Sequence, residues 1–133
     1  MKSRKLIIPS TFEQLERAID FIELFAEDHD LGDNMLDRLR LVGSEAITNA
    51  IEHGNELDPS KLVTFVLAVN EQFVEMMVTD EGPGFDESKL PDPLARENLL
   101  AEGGRGVYLI HQFADEIRYE SNGNCLCARF ALG

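Results

Sequence analysis

Apolar residues recur along this chain with two periods, and the points where the period changes mark out its elements. Leu6-Ile7-Ile8 predicts a short first strand that Pro9 ends. Ser10 with Glu13 three residues later is a capping-box signature and predicts a helix over residues 11–29. The apolar stripe of that helix is Phe12, Leu15, Ile19, Ile22 and Phe25 or Ala26, a core face, with Glu13, Glu16, Asp20, Glu23 and Glu27 outside. The acidic side reads as a solvated face, with a partner surface as the alternative. Leu31-Gly32-Asp33-Asn34 is a turn leading to a second helix over residues 35–53, closed by Gly54. Its buried arc is Met35, Leu36, Leu39, Val42, Gly43, Ala46 and Ala50, while Glu45, Asn49 and Glu52 share an adjoining stripe with His53 at its margin.

Residues 61–69 and 73–79 read as neighbouring strands joined through Asn70-Glu71, apolar on both faces in places and therefore central in a sheet. Residues 86–103 hold Pro91, Pro93, several charges and a short helical piece at 94–100. Glycines then open an apolar helix carrying Val107, Ile110, Phe113 and Ala114 on one face. Residues 116–120 and 125–132 are strands around Asn122-Gly123, a hairpin signal. The order is βαα, two strands, a loop, α, two strands, an α+β pattern without repeats or linkers.

Length and composition narrow this further. A chain of 133 residues fits a single domain with a real core, and 44% hydrophobic with 28% charged residues describes a soluble globular protein. No apolar run approaches the roughly 20 residues that span a bilayer, and the stretch after Met1-Lys2-Ser3-Arg4-Lys5 is too short for a signal peptide, so a cytoplasmic location is expected. A net charge of −13 argues against a nucleic-acid surface. It suggests a partner with a basic patch, or simply a solubility device. Cys125 and Cys127, two apart on a strand, make a poor zinc site without a second ligand pair and would strain a disulfide. They read as small sheet or core residues of a reducing compartment.

Three segments carry candidate chemistry. Glu45 and Asn49 lie four apart on a helix, about 6 Å along its axis on one face. A carboxylate there can accept a proton from an attacking hydroxyl, and an amide oxygen can hold a hard cation such as Mg²⁺. The plain alternative is a pair that only meets water. Asp80-Glu81-Gly82-Pro83-Gly84-Phe85 follows a strand, and Asp80 falls on the strand face of Val74, Met76 and Val78, an odd place for a charge without a partner. An adenine amino group would satisfy it; an Asp organising its own turn would look the same. In Gly103-Gly104-Arg105-Gly106, glycines open a helix whose free N–H groups can cradle phosphate, aided by the dipole and Arg105, or else form a flexible connector. An acidic chain must offset the charge of a phosphate ligand locally, which favours backbone amides, Mg²⁺ and Arg105 for that task.

In this order and at these gaps the three segments resemble the N, G1 and G2 boxes of the GHKL ATPase/kinase superfamily, over roughly residues 36–132. The run Glu45-Ala46-Ile47-Thr48-Asn49-Ala50-Ile51-Glu52-His53-Gly54, with Gly104-Arg105-Gly106-Val107-Tyr108-Leu109-Ile110, is similar to the anti-sigma-factor serine/threonine kinases within it. The resemblance implies a Bergerat-fold two-layer sandwich over residues 1–133: a mixed, mostly antiparallel sheet with helices packed on one face, and residues 86–103 as a mobile ATP lid. It implies ATP and Mg²⁺ as ligands. Asp80 would accept from the adenine amino group, Gly82 and Gly84 would let backbone approach the base, Asn49 would ligate Mg²⁺, and Gly104, Arg105 and Gly106 would hold phosphates. Glu45 would take the proton of a partner's hydroxyl, and His53 would be structural, at the helix C-terminus. Proteins of this type bind a sigma factor, phosphorylate a serine or threonine on a small anti-anti-sigma partner of STAS type, and are often dimers. A non-catalytic module that holds ATP and sequesters its partner is the alternative, which the presence of Glu45 disfavours. A histidine-kinase catalytic domain would go with a phosphorylatable His on a helical dimerisation segment, and His29, His53 and His111 do not sit in one. The chain departs from the family at the final hairpin, where threonines follow the glycine, one of them near the adenine. Here the positions read Asn124-Cys125, either of which could still bond through a water.

Overall fold

The computed structural model describes residues 1–83, 104–121 and 124–133. Among these, strands Lys2–Pro9 (β1), Leu62–Val69 (β2), Phe73–Thr79 (β3), Glu116–Glu120 (β4) and Cys125–Ala131 (β5) form one sheet in the order β1-β2-β3-β5-β4. All four pairings are antiparallel. Helices Leu15–Asp28 (α1), Asp33–Asn49 (α2) and Gly104–Phe113 (α3) complete it. The expected α+β arrangement is what the chain adopts.

The register explains why one sheet face carries the core. Phe65, Leu67 and Val69 of β2 lie opposite Val78, Met76 and Val74 of β3, which in turn face Leu126, Ala128 and Phe130 of β5. These rows of apolar residues meet Ala18, Ile22 and Phe25 of α1, Met35, Leu39, Val42, Ala46 and Ile47 of α2, and Ile110 of α3. Fully buried side chains of this size contribute about 1.5–3 kcal/mol each relative to exposure, which is what holds the helical layer on the sheet. Among the described residues no helix is long and apolar enough to cross a membrane.

Four expectations change in detail. The first strand begins at Lys2 rather than Leu6, because the exposed polar run Lys2-Ser3-Arg4-Lys5 forms an edge strand paired with β2 along its whole length. No capping box forms: Ser10 is fully buried, its hydroxyl donates to the Lys61 carbonyl (2.8 Å), and the chain enters α1 through a 3₁₀ turn at Phe12–Gln14. Phe12, expected in the core, is 48% exposed in that turn. The second helix leaves α-geometry after Asn49 and widens into a π turn at Ala50–Gly54, closed by the Asn55 N–H on the Ala50 carbonyl (2.8 Å). Cys125 and Cys127 are free and buried with their sulfurs 3.8 Å apart, and their strand partners Thr79 and Met77 put them on the sheet face away from the helices. The expected lid at 86–103 and the Asn122-Gly123 turn lie outside the described residues.

Candidate functional site

The end of β3 is where sequence and structure meet most closely. Past Thr79 the Asp80 N–H donates to the Asn124 carbonyl (2.9 Å), which carries the β3–β5 ladder one residue further and sets where the Asp80 side chain starts. Its Oδ1 accepts from the Gly82 N–H (2.9 Å) and from the Asn124 side-chain amide (3.0 Å). Its Oδ2 accepts from no described residue and lies against Gly54, where a Cβ would stand 2.2 Å from that oxygen. A Cβ on Gly82 would in turn be 2.0 Å from the Gly54 carbonyl oxygen. Gly82 is therefore required by close approach to the Gly54 backbone, while a side chain at Gly54 would displace the Asp80 carboxylate. One Asp80 oxygen thus organises the turn, and the other is bonded by no described residue.

One residue fastens this corner. Asn55 is fully buried, and its side-chain amide donates to Ser10 Oγ (2.7 Å) and to the Leu62 carbonyl (3.0 Å). Its Oδ1 accepts the Glu81 N–H (2.7 Å), while Glu81 Oε2 accepts the Leu62 N–H (2.5 Å). The ends of β1, α2 and β3 and the start of β2 are thus tied through a single carboxamide. Asn55 was not foreseen from sequence; the only signal is a Gly-Asn pair closing a helix, which ordinarily means a C-cap.

The α2 stripe is arranged differently. Glu45, Asn49 and Glu52 are half-buried, none bonds another described side chain, and His53 is exposed. Asn49 is the last α-helical residue, five before the Gly54 that touches Asp80, so the stripe and the Asp80 corner share one end of α2. α3 packs against α2, and its first residues, Gly104, Arg105 and Gly106, present a helix N-terminus whose leading N–H groups have no intrahelical acceptor. Gly84 and the side chain of Arg105 lie outside the described residues. Chemically, the arrangement offers one acceptor oxygen beside Gly54, the side chains of Glu45 and Asn49 one helical turn apart with no bond to a described side chain, and a cluster of amide donors.

An α+β domain with a glycine-walled acidic corner at the end of its central strand, beside a polar helical stripe, is the class that these features define. The chain belongs to the histidine kinase-like ATPase domain family, which matches residues 8–130. It is similar to "Serine-protein kinase RsbW" of Bacillus subtilis (strain 168), 33% identical over 99 residues, 70% of this chain and 62% of that one. It is similar as well to "Anti-sigma F factor" of Priestia megaterium, 39% identical over 90 residues, 65% of this chain and 60% of the relative. The "Anti-sigma F factor" of Bacillus cytotoxicus is 32% identical over 110 residues, covering 69% and 75% of the two chains. The chain thus spans about three fifths of the length of the first two relatives. A crystal structure of RsbU and RsbW domains from Mycobacterium tuberculosis shares the fold, with a TM-score of 0.68 at 14% identity over 98% of this chain and 32% of that one.

Proposed function

We propose that this chain is an ATP-dependent protein serine/threonine kinase that also acts as an anti-sigma factor, binding a sigma factor and phosphorylating a small STAS-type anti-anti-sigma partner. The observation that carries the reading is the Asp80 corner: a carboxylate with one oxygen bonded twice and the other bonded by no described residue, in a wall built of Gly54 and Gly82. An acceptor-only oxygen there suits the exocyclic amino group of adenine and repels the carbonyl of guanine. The relatives' names support the kinase and anti-sigma assignments, and the family supports ATP.

Each remaining residue takes a role by its chemistry. By the family resemblance, Gly84 would with Gly82 let backbone approach the base. Asn49 offers an amide oxygen to Mg²⁺, a hard-cation ligand of the right kind. Gly104, Arg105 and Gly106 hold phosphate oxygens through amide donors and a guanidinium. Bound Mg-ATP supplies the phosphoryl group and neutralises charge on it. Glu45 accepts the proton of the partner's hydroxyl at a carboxylate oxygen that no described side chain bonds. Positioning and charge neutralisation provide most of the acceleration in phosphoryl transfer, so Asp80 and the glycine helix matter as much as the base.

Incubation with labelled Mg-ATP, a sigma factor and a serine-bearing partner tests the reading. Label should pass to the partner, and Asp80→Asn should weaken ATP binding by the roughly 1–3 kcal/mol of a charged buried hydrogen bond. ATP and sigma binding without transfer to any cognate partner would leave a sequestering module in place of a kinase.

A further inference from the structure

Asn124 stands where the resemblance puts a threonine, and its hydrogen bonds give it more than a threonine could do. Its side-chain amide is 3.0 Å from Asp80 Oδ1 and 2.5 Å from the Gly82 carbonyl oxygen. Both neighbours are pure acceptors, so only the NH₂ end of the carboxamide can face them, and each of its two N–H groups meets one oxygen. A threonine hydroxyl has a single hydrogen and could satisfy one of them. The second bond ties Asp80 to the carbonyl of the turn that closes over it, while the Asn124 backbone carbonyl already holds the Asp80 N–H at 2.9 Å.

We infer that Asn124 is the specificity-determining clamp of the nucleotide site, pinning the Asp80 carboxylate so that a single oxygen is presented to the amino group of an adenine base. The inference rests on the proposed role of Asp80 and adds to it. With Gly82 N–H and Asn124 both on Oδ1, the lone pairs of that oxygen are spent, and all remaining acceptor capacity lies on Oδ2 beside Gly54. Tilting the carboxylate breaks two bonds at once. A purine with a carbonyl in place of the amino group then meets a fixed negative oxygen that cannot turn away, whereas a loosely held carboxylate could. Asn124 contacts Asp80 and Gly82, not the base, and is a positioning residue.

Calorimetry with Mg-ATP and with Mg-GTP on Asn124→Thr, Asn124→Ala and Asn124→Asp, each checked by thermal unfolding, tests this. ATP affinity should fall in the order wild type, Asn124→Thr, Asn124→Ala, Asn124→Asp, with about a tenfold loss for Asn124→Ala. Asn124→Asp should be worst because it sets a carboxylate against both acceptors. The ATP-over-GTP ratio should narrow in the same order. Asn124→Thr keeps one donor and preserves the test should the harsher variants fail to fold. Equal losses for both nucleotides, or none, would overturn the clamp and leave Asn124 a structural residue. Asp80→Asn run alongside separates the two levels: if it weakens ATP while the Asn124 series does not, only the clamp is lost; if it too leaves binding untouched, the assignment of Asp80 goes with it.

Discussion

Asp80 and Glu45 are both half-buried carboxylates near the same end of α2, yet their surroundings are opposite. Asp80 is over-determined: a backbone ladder bond, two donors on one oxygen, and glycine backbone pressed against the other. Glu45 projects from a well-packed helix and bonds no described side chain. A group that recognises a ligand is best fixed before the ligand comes, since its ordering cost is then met by folding. A group that must take a proton from a partner arriving later needs its lone pairs free. Under the proposed roles one end of a helix holds both solutions, because Gly54 lies against Asp80 while the half-buried stripe one and two turns earlier bonds no described side chain.

Breaking the unbonded side of this contrast should give the largest effect. Glu45→Ala should lower phosphate transfer by ~10²–10⁴-fold while ATP affinity and unfolding stability stay within about 0.5 kcal/mol of wild type. Transfer at the wild-type rate would remove Glu45 from the chemistry. On the bonded side, Asn55→Ala strands the Glu81 N–H and the Leu62 carbonyl and should cost about 3 kcal/mol in denaturant unfolding, with ATP binding weakened in step. A change below 1 kcal/mol would mean that the corner holds together without its hub. Gly82→Ala drives a Cβ into the Gly54 backbone, which cannot swing aside as a side chain would. It should cost about 1–3 kcal/mol of stability and more of the ATP affinity than Glu45→Ala does.

The smallest effect lies away from both. Burial first, then neighbouring Cys125, pushes the Cys127 thiol from 9.0 up to about 12. A raised folded value means that its contribution to stability is complete below pH 9.0 and is lost as the pH rises toward about 12. Cys127→Ala should flatten that part of the alkaline decline in a pH series of melting curves, and the native thiols should alkylate slowly until the chain unfolds.

How much of this was legible depended on whether a residue's partner lay nearby in sequence. The bounds of β3 and most of the buried arc of α2 followed from periodicity, because burial against a flat layer leaves a repeating trace, although Ile47 is buried beyond the expected arc and Leu36 only partly. The widening after Asn49 did not, since Ala50 and Ile51 remain buried and the apolar rhythm passes through it unchanged. Ser10 has the same sequence context whether its hydroxyl caps the next turn or reaches Lys61, 51 residues away. Asp80 was readable as a misplaced charge. That Asn124, 44 residues on, would spend both its amide hydrogens there depends on the β3–β5 register, which no local pattern encodes.

That same register has a consequence in time. β3 meets β2 across a tight turn in which Asn70 Oδ1 accepts the N–H groups of Gln72 and Phe73, so this hairpin closes a very short loop. Its pairing with β5 closes a loop spanning some 44 residues between Asp80 and Asn124, at a correspondingly higher entropic cost. By this loop length a refolding chain should acquire its β2–β3 hairpin before the Asp80–Asn124 corner, and a nascent chain gains the proposed nucleotide site only when β5 has been added to the sheet.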